Sequence, residues 1–114
     1  MEHNERNNSI RIKILQEIED IEIFTHGVSR ETLMKEKVLQ KAIVMSLINI
    51  GELSKAFSDD YLATMPFIPW KSIRGFRNIA AHQYGIIDFE DVYVTIHDDI
   101  PKLKAELERV EKKQ

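Results

Sequence analysis

Residues 42–50, Ala-Ile-Val-Met-Ser-Leu-Ile-Asn-Ile, decide the fold of this chain. Wound as a helix, the stretch is apolar nearly all round, and it lies within a helical pattern that runs from Val38 to Phe57. A helix that is apolar on more than one side is buried among other elements. Gly51 lies inside the same pattern, where glycine costs about 1 kcal/mol relative to alanine, so it indicates close helix packing or a bend. We therefore predict a central helix that is covered by others.

On the N-terminal side, a second amphipathic pattern precedes the central helix. Isoleucines recur at spacings of three and four residues from Ile10 to Ile21, which predicts a helix over about residues 6–25. Gly27 is well placed to end that helix as a C-cap. Ser29, or alternatively Thr32, can cap the start of the central helix. The first two helices are thus expected to be joined by a short connection.

On the C-terminal side, polar residues and prolines interrupt the chain. Residues 58–60, Ser-Asp-Asp, mark a break or a short extra helix. Residues 65–69, Met-Pro-Phe-Ile-Pro, exclude regular helix, because proline lacks the N–H group and clashes with the preceding turn. A further helix is expected to start at Pro69 or Trp70 and to end near residues 84–85.

A last helix is predicted from Phe89 to about Val110, with Asp88 as its N-cap. Pro101 falls inside it and should kink it, or mark a restart that Asp98 or Asp99 caps. No stretch shows a convincing alternation of period two. Helices joined by short loops predict an all-α fold, an antiparallel bundle of four or five helices. At 114 residues the chain is long enough for one domain, taken here as residues 1–114.

The composition excludes several classes of protein. Hydrophobic residues make up 43% and charged residues 31% of the chain, values typical of a soluble globular protein. The chain has no cysteine, so disulfides, thiolate metal sites and cysteine nucleophiles are excluded. It shows neither an apolar signal-peptide core nor the roughly 20 apolar residues of a membrane span. We therefore expect a cytoplasmic protein with no membrane association and no cofactor or metal.

One stretch is depleted of negative charge. The chain has 16 Lys and Arg against 19 Asp and Glu, for a net charge of −3, which argues against non-specific coating of nucleic acid by the whole surface. Residues 61–87 nevertheless contain no acidic residue, while they include Lys71, Arg74 and Arg77. His82 lies in the same stretch. A local site for an anion such as phosphate is therefore expected here.

The side chains of this stretch fall into two neighbouring rows on the predicted helix. Arg74, Asn78 and His82 are spaced four residues apart and form one row. Arg77 lies on the next row, with Ala81 and Tyr84. Long side chains near a helix end can still converge on one anion. Arg77 could also pair with an acid of another helix, such as Glu52, and Asn78 could either orient His82 or bond across the bundle.

This combination of groups suits RNA cleavage without a metal. An arginine fork matches phosphate geometry, and an imidazole accepts and donates protons near neutral pH. RNA carries its own nucleophile, the 2′-hydroxyl, so cleavage needs one group that removes its proton and another that protonates the leaving oxygen. One copy of the motif supplies one such proton carrier. Two histidines in a shared cleft require a two-fold dimer.

The same residues resemble the signature of the HepT-like HEPN proteins. The resemblance is carried by residues 69–84, Pro-Trp-Lys-Ser-Ile-Arg-Gly-Phe-Arg-Asn-Ile-Ala-Ala-His-Gln-Tyr, by Asp88, by Ile50-Gly51-Glu52 and by residues 99–103, Asp-Ile-Pro-Lys-Leu. It implies a dimeric all-α bundle in which Arg77 and His82 are the ribonuclease pair, supported by Asn78, Arg74 and Glu52.

The resemblance also implies a biological role. Such a protein would be the toxin of a toxin–antitoxin pair, neutralised by a minimal nucleotidyltransferase that can transfer AMP to the motif tyrosine, here Tyr84. Two alternatives remain open from the residues. The chain could be a non-catalytic partner that binds substrate or nucleotide for a nucleotidyltransferase, or a purely structural helical dimer in which His82 only complements the helix dipole.

Overall fold

A computed structural model describes the backbone of residues 2–112 and the side chains of residues 5–110. Within these bounds the chain consists of helices and turns, without a strand, so the all-α prediction is confirmed. None of these helices combines the length and the apolar character needed to cross a bilayer. The helices are α1 (Glu2–Thr25), α2 (Arg30–Lys35), α3 (Lys37–Ser54), α4 (Asp59–Ala63), α5 (Trp70–His82), α6 (Phe89–Val94) and α7 (Ile100–Lys112).

The central helix predicted from the sequence is α3, which packs against α1, α2 and α5. The predicted isoleucine row of α1 points into the core, and Ile14 and Ile18 are almost completely buried there. α7 closes the other side of α1. α1 ends where predicted, since Gly27 adopts a left-handed conformation with a φ of 70°. Ser29 is an N-cap, as expected, since it accepts a hydrogen bond from the Thr32 N–H group, but the helix that it caps is the separate α2 and not the central α3.

Gly51 marks the closest approach between α3 and α5, which confirms the packing interpretation of this residue. A Cβ atom built at Gly51 would lie 2.5 Å from the carbonyl oxygen of Ile73. The obstacle is backbone, so no side-chain rotation can relieve the contact. The two helices run antiparallel at this point, because Glu52 of α3 reaches Arg77 while Ser54, further along α3, reaches Arg74. Gly51 thus sets the depth at which α5 sits on α3.

We expect Gly51→Ala to lower the free energy of unfolding by about 2 kcal/mol, within the range known for overpacked cores. The loss should appear even though alanine favours a helix by about 1 kcal/mol. Gly75→Ala is the matched control, because a Cβ atom there meets nothing within 4 Å. That substitution should leave stability unchanged or raise it. Urea unfolding of both variants measures the difference, and equal effects would contradict the close-packing interpretation.

Two predicted boundaries were wrong. The pattern from Ser29 to Phe57 suggested one helix, but the chain breaks at Glu36, where φ is −91° and ψ is 97°. The break turns α2 across α6 and buries Leu33 completely, so tertiary packing outweighs helix continuity here. At the other end α3 stops at Ser54, and Phe57 leaves the helix to contact the rings of Tyr61 and Trp70 in the core.

Of two further sequence predictions, the short helix at residues 58–60 is confirmed and the capped restart before Pro101 is wrong. The short extra helix proposed at residues 58–60 is present as α4, capped by Ser58. The capped restart proposed before Pro101 is absent. Instead a π-helical segment, Thr95–Asp99, joins α6 to α7, and the Ile100 N–H group bonds to the Thr95 carbonyl. Asp98 and Asp99 lie inside this segment and cap nothing, because the wider turn accommodates the proline ring without ending the helix.

Candidate active site

The C-terminal half of α5 presents the predicted site residues to solvent. Arg77, Asn78 and His82 are all exposed, and His82 is the last residue of the helix. The prediction that this helix reaches residues 84–85 was wrong. The backbone leaves the helix at Gln83, where φ is −139° and ψ is 39°. Gly85 needs no special backbone conformation, since Gly27 is the only residue with positive φ among residues 2–112.

Tyr84 therefore does not share a helical row with Arg77 and Ala81, as the sequence had suggested. It begins a separate 3-10 turn, Tyr84–Ile86, two residues beyond His82. Its ring packs against that of Phe89, with 6.4 Å between the ring centroids, and its side chain remains 37% exposed. The phenol thus lies next to His82 along the chain and is accessible from solvent.

Arg77 is held by the acid that the sequence suggested. Its Nε atom lies 3.2 Å from Oε1 of Glu52, so α3 positions the arginine on α5. Neither side chain is buried, with 55% of the Arg77 side chain and 40% of the Glu52 side chain exposed. Beyond this ion pair, Arg77 has no hydrogen-bond partner among the side chains that the structure describes. Its guanidinium fork is consequently available to a phosphate.

Arg74 has a different position from the one expected of an anion ligand. Its Nη2 atom donates a hydrogen bond of 3.0 Å to the carbonyl oxygen of Ser54, the last residue of α3. The last carbonyls of a helix lack partners within the helix, so an arginine there satisfies one of them. The side chain of Arg74 is also partly buried. The structure therefore gives Arg74 a place at the end of α3, apart from the exposed fork of Arg77.

Asn78 and His82 lie in the predicted row but do not touch a partner. Neither residue forms a hydrogen bond to any of the side chains that the structure describes, and both are exposed. Asn78 thus neither bonds across the bundle nor orients His82 within one copy of the chain. The imidazole of His82 is open to whatever binds at the end of α5.

An apolar groove adjoins this helix end, and the sequence analysis did not foresee it. Its volume is about 480 Å³. Two of its apolar residues are well exposed, Ile79 at 45% and Ile86 at 69%. Its walls are formed by α3, α5, the continuous α6–α7 segment and the connections on either side of α5, and they include Leu47, Ile50, Ile68, Ser72, Ile73, Phe76, Ile79, Ile86, Ile87, Val92, Ile100 and Leu103. Because Ile79 lies between Arg77 and His82 in sequence, the groove and the site residues share one helix.

Acidic side chains line the far rim of the groove. Asp88, Asp91 and Asp99 all contribute to its wall. Asp88 accepts a hydrogen bond from the Glu90 N–H group as the N-cap of α6, in agreement with the sequence prediction. No ion pair connects any of the three aspartates to the residues described here. The groove is therefore mostly apolar, with exposed acids in the part of its wall formed by residues 88–99 and none in the part formed by α5.

Sequence comparisons agree with this arrangement. The profile of the family described as "Ribonuclease HepT-like" matches residues 14–110. The chain belongs to the HepT-like ribonuclease family. This match includes α3, α5, the groove and all the predicted site residues, and it supports an RNase activity.

Two relatives illustrate the similarity of this HepT-like chain to curated proteins. "Probable ribonuclease HepT" of Thermococcus cleftensis is 34% identical over 99 residues, which cover 87% of this chain and 90% of the relative. "Putative RNase MJ1380" of Methanocaldococcus jannaschii is 33% identical over 97 residues, covering 85% and 89% of the two chains. No solved structure showed a significant match. Within the described residues, no group of three or more His, Cys, Asp and Glu side chains could hold a metal ion.

Proposed function

We propose that this protein is a metal-independent endoribonuclease that acts as a homodimer, with Arg77 and His82 of both subunits facing one cleft. The observation that carries the proposal is the exposed end of α5. There an arginine held by Glu52 and an unpartnered histidine lie on one helix end, beside an apolar groove. The ribonuclease family supports RNA as the substrate.

The proposed reaction uses the substrate's own nucleophile. One His82 removes the proton of a ribose 2′-hydroxyl, whose oxygen attacks the adjacent phosphorus. The bond from phosphorus to the 5′-oxygen of the next nucleotide breaks, and the second His82 protonates that leaving oxygen. Arg77 stabilises the negative charge that develops on the phosphoryl oxygens. The products are a 2′,3′-cyclic phosphate and a free 5′-hydroxyl, and each histidine contributes about 10²–10⁴-fold by acid–base catalysis.

The groove is the surface on which we place the second subunit. Its exposed isoleucines would lose contact with water in a dimer, and burial of apolar area is the main favourable term in association. The second copy also has complementary charge. Its own acid-free stretch, with Lys71 at the start of α5, can face the unpaired aspartates at the rim. His82 lies one turn after Ile79 on α5, so a second chain in this groove would bring its His82 towards that of the first chain.

RNA cleavage by the purified protein in EDTA tests the nuclease proposal. We expect cleavage to persist, and the products to carry 2′,3′-cyclic phosphate ends. Mass spectrometry of the products identifies these ends, and it also verifies that Tyr84 is unmodified in the sample. An absence of cleavage by unmodified protein would refute the proposal and favour a non-catalytic partner of a nucleotidyltransferase.

We further propose that the protein is a toxin whose antitoxin is a minimal nucleotidyltransferase that transfers AMP to Tyr84. The exposed phenol supports this role, because an added nucleotide there would place bulk and negative charge beside His82. Co-expression with such an enzyme should add AMP to the wild type but not to Tyr84→Phe. Tyr93→Phe is the control, and modification of Tyr84→Phe at another residue would contradict the assignment. Intact-protein mass spectrometry reports the outcome.

A further inference from the structure

The C-terminal end of α3 is surrounded by three cationic side chains. Lys55 follows the last residue of α3 and contacts Glu52 at 3.2 Å. Arg77 contacts the same oxygen of Glu52 at 3.2 Å, and Arg74 binds the Ser54 carbonyl. Because both contacts end on Glu52 Oε1, the distance between Lys55 Nζ and Arg77 Nε is at most the sum of the two contact distances. One carboxylate therefore contacts two cations, and Arg74 lies at the adjacent end of α3.

Local structure accounts for only part of this cluster. An exposed lysine paired with a glutamate three residues earlier contributes little to stability, because water screens the pair. A cation at a helix C-terminus is favourable by about 0.3–1 kcal/mol, and Arg74 already occupies that position. The remaining positive charge is not neutralised by Glu52. An excess of like charges at one surface point attracts and orients an anion.

The order of the residues along α5 places Arg77 between the cluster's Lys55 and the predicted catalytic His82. Arg74, which binds the end of α3 next to Lys55, lies three residues before Arg77 on α5. His82 lies five residues after Arg77, about 7.5 Å further along the helix axis. Lys55 and His82 are thus on opposite sides of Arg77. Both Lys55 and Arg77 have about half of their side chains exposed, at 49% and 55%.

We infer that Lys55 binds an RNA phosphate adjacent to the one that is cleaved, so that the strand runs from His82 past Arg77 to Lys55. The inference rests on the proposed nuclease function for the identity of the reacting phosphate. Glu52 then has two roles: it positions Arg77, and it holds Lys55 close to Arg77, so that neighbouring phosphates of one strand can reach both cations. Lys55 is a binding residue and takes no part in proton transfer.

Binding of a labelled oligonucleotide of 2′-O-methyl RNA tests the inference without cleavage, because the nucleophile is blocked. Each phosphate contact to a single strand changes the slope of log K against log salt by about 0.7. We expect Lys55→Ala to reduce the slope by about this amount and to weaken binding about fivefold at 0.1 M salt. Lys55→Arg should bind like the wild type, since only the charge is needed.

Lys104→Ala is the matched control. Lys104 also pairs with a glutamate, Glu22, at 3.0 Å, but it lies on α7 and is not part of the cluster. Its pKa is raised by the hydrogen bond and the charge of Glu22, so it is a fully charged lysine in a similar setting. Its removal should leave the salt slope unchanged. An equal loss from both variants, or no loss from Lys55→Ala, would overturn the assignment, as would a failure of the wild type to bind.

Cleavage separates this inference from the nuclease proposal. A wild type that binds RNA through Lys55 without cutting it would refute the nuclease and retain the phosphate site. A wild type that cuts RNA, together with a Lys55→Ala variant of unchanged slope and rate, would refute the phosphate site alone. Circular dichroism verifies that each variant is folded.

Discussion

Replacing His82 with alanine is expected to lower the rate of RNA cleavage by at least about 10²–10⁴-fold, the contribution of a single positioned acid or base. The fold should not change, because the side chain is exposed at the end of α5 and has no partner among the residues described. Cleavage of a labelled RNA in EDTA measures the effect. Both steps of the proposed reaction are lost together, since a homodimer of the variant lacks both histidines.

His26→Ala is the control for this experiment. His26 is also exposed and follows a helix end, that of α1, but it lies outside the acid-free stretch. The control should cut RNA at the wild-type rate. Equal cleavage by the wild type and His82→Ala would show that the histidine is not catalytic and that any observed activity has another origin.

Mixed dimers test whether one active cleft needs His82 from both subunits. If each active cleft needs two histidines, a dimer with one His82→Ala subunit is inactive. An equal mixture of wild-type and variant subunits, exchanged to equilibrium, should then retain about one quarter of the activity, because only that share of dimers is fully wild type. Independent sites in each subunit would leave about one half. Titration of the variant into the wild type tests this further. Cleavage activity should fall with the square of the wild-type fraction if each cleft needs two histidines, and in proportion to that fraction if the sites are independent.

Ile86→Asp is expected to convert the protein to a monomer and thereby to abolish RNA cleavage. Ile86 lines the groove but is 69% exposed, so a charge there costs the monomer little. In a dimer the same charge would be buried without a partner, close to the acidic rim at Asp88. Light scattering measures the change in mass, and the cleavage assay measures the loss of activity on the same sample.

Val38→Asp provides the comparison, because Val38 is a β-branched residue that is 85% exposed on α3 and does not line the groove. This variant should remain dimeric and active. A folded Ile86→Asp variant that stays dimeric would show that the second subunit docks elsewhere. A monomeric variant that still cuts RNA would show that one Arg77 and one His82 suffice. A wild type that is itself monomeric would assign the groove to another partner.

Local patterns predicted much of the fold. The isoleucine spacing of α1, the glycine at its end and the serine before α2 each depend on a few neighbouring residues, and all were confirmed. The apolar circumference of residues 42–50 correctly predicted a central helix. Local patterns failed where distant contacts decided the outcome. Glu36 breaks a continuous helical pattern so that α2 can pack across α6.

The candidate site divides in the same way. Residue types and spacing placed Arg77 and His82 near one helix end, because helical periodicity is local. Glu52 was named as a partner of Arg77, and the ion pair is present. The position of Tyr84 was predicted wrongly, since Gln83 ends the helix before it. The groove could not be foreseen, because only tertiary packing brings α3, α5, the α6–α7 segment and the connections beside α5 around one space.

The sequence by itself determined the helical class, the family and the identity of the chemical groups, because each depends on residue types at fixed spacing. Only the tertiary structure decided which of the cations remain free. Arg74 turns to the end of α3, Arg77 keeps an open fork beside Glu52, and Lys55 joins them from the residue that follows α3. These roles depend on how closely α3 and α5 approach at Gly51, and that distance results from packing between residues that no local pattern connects.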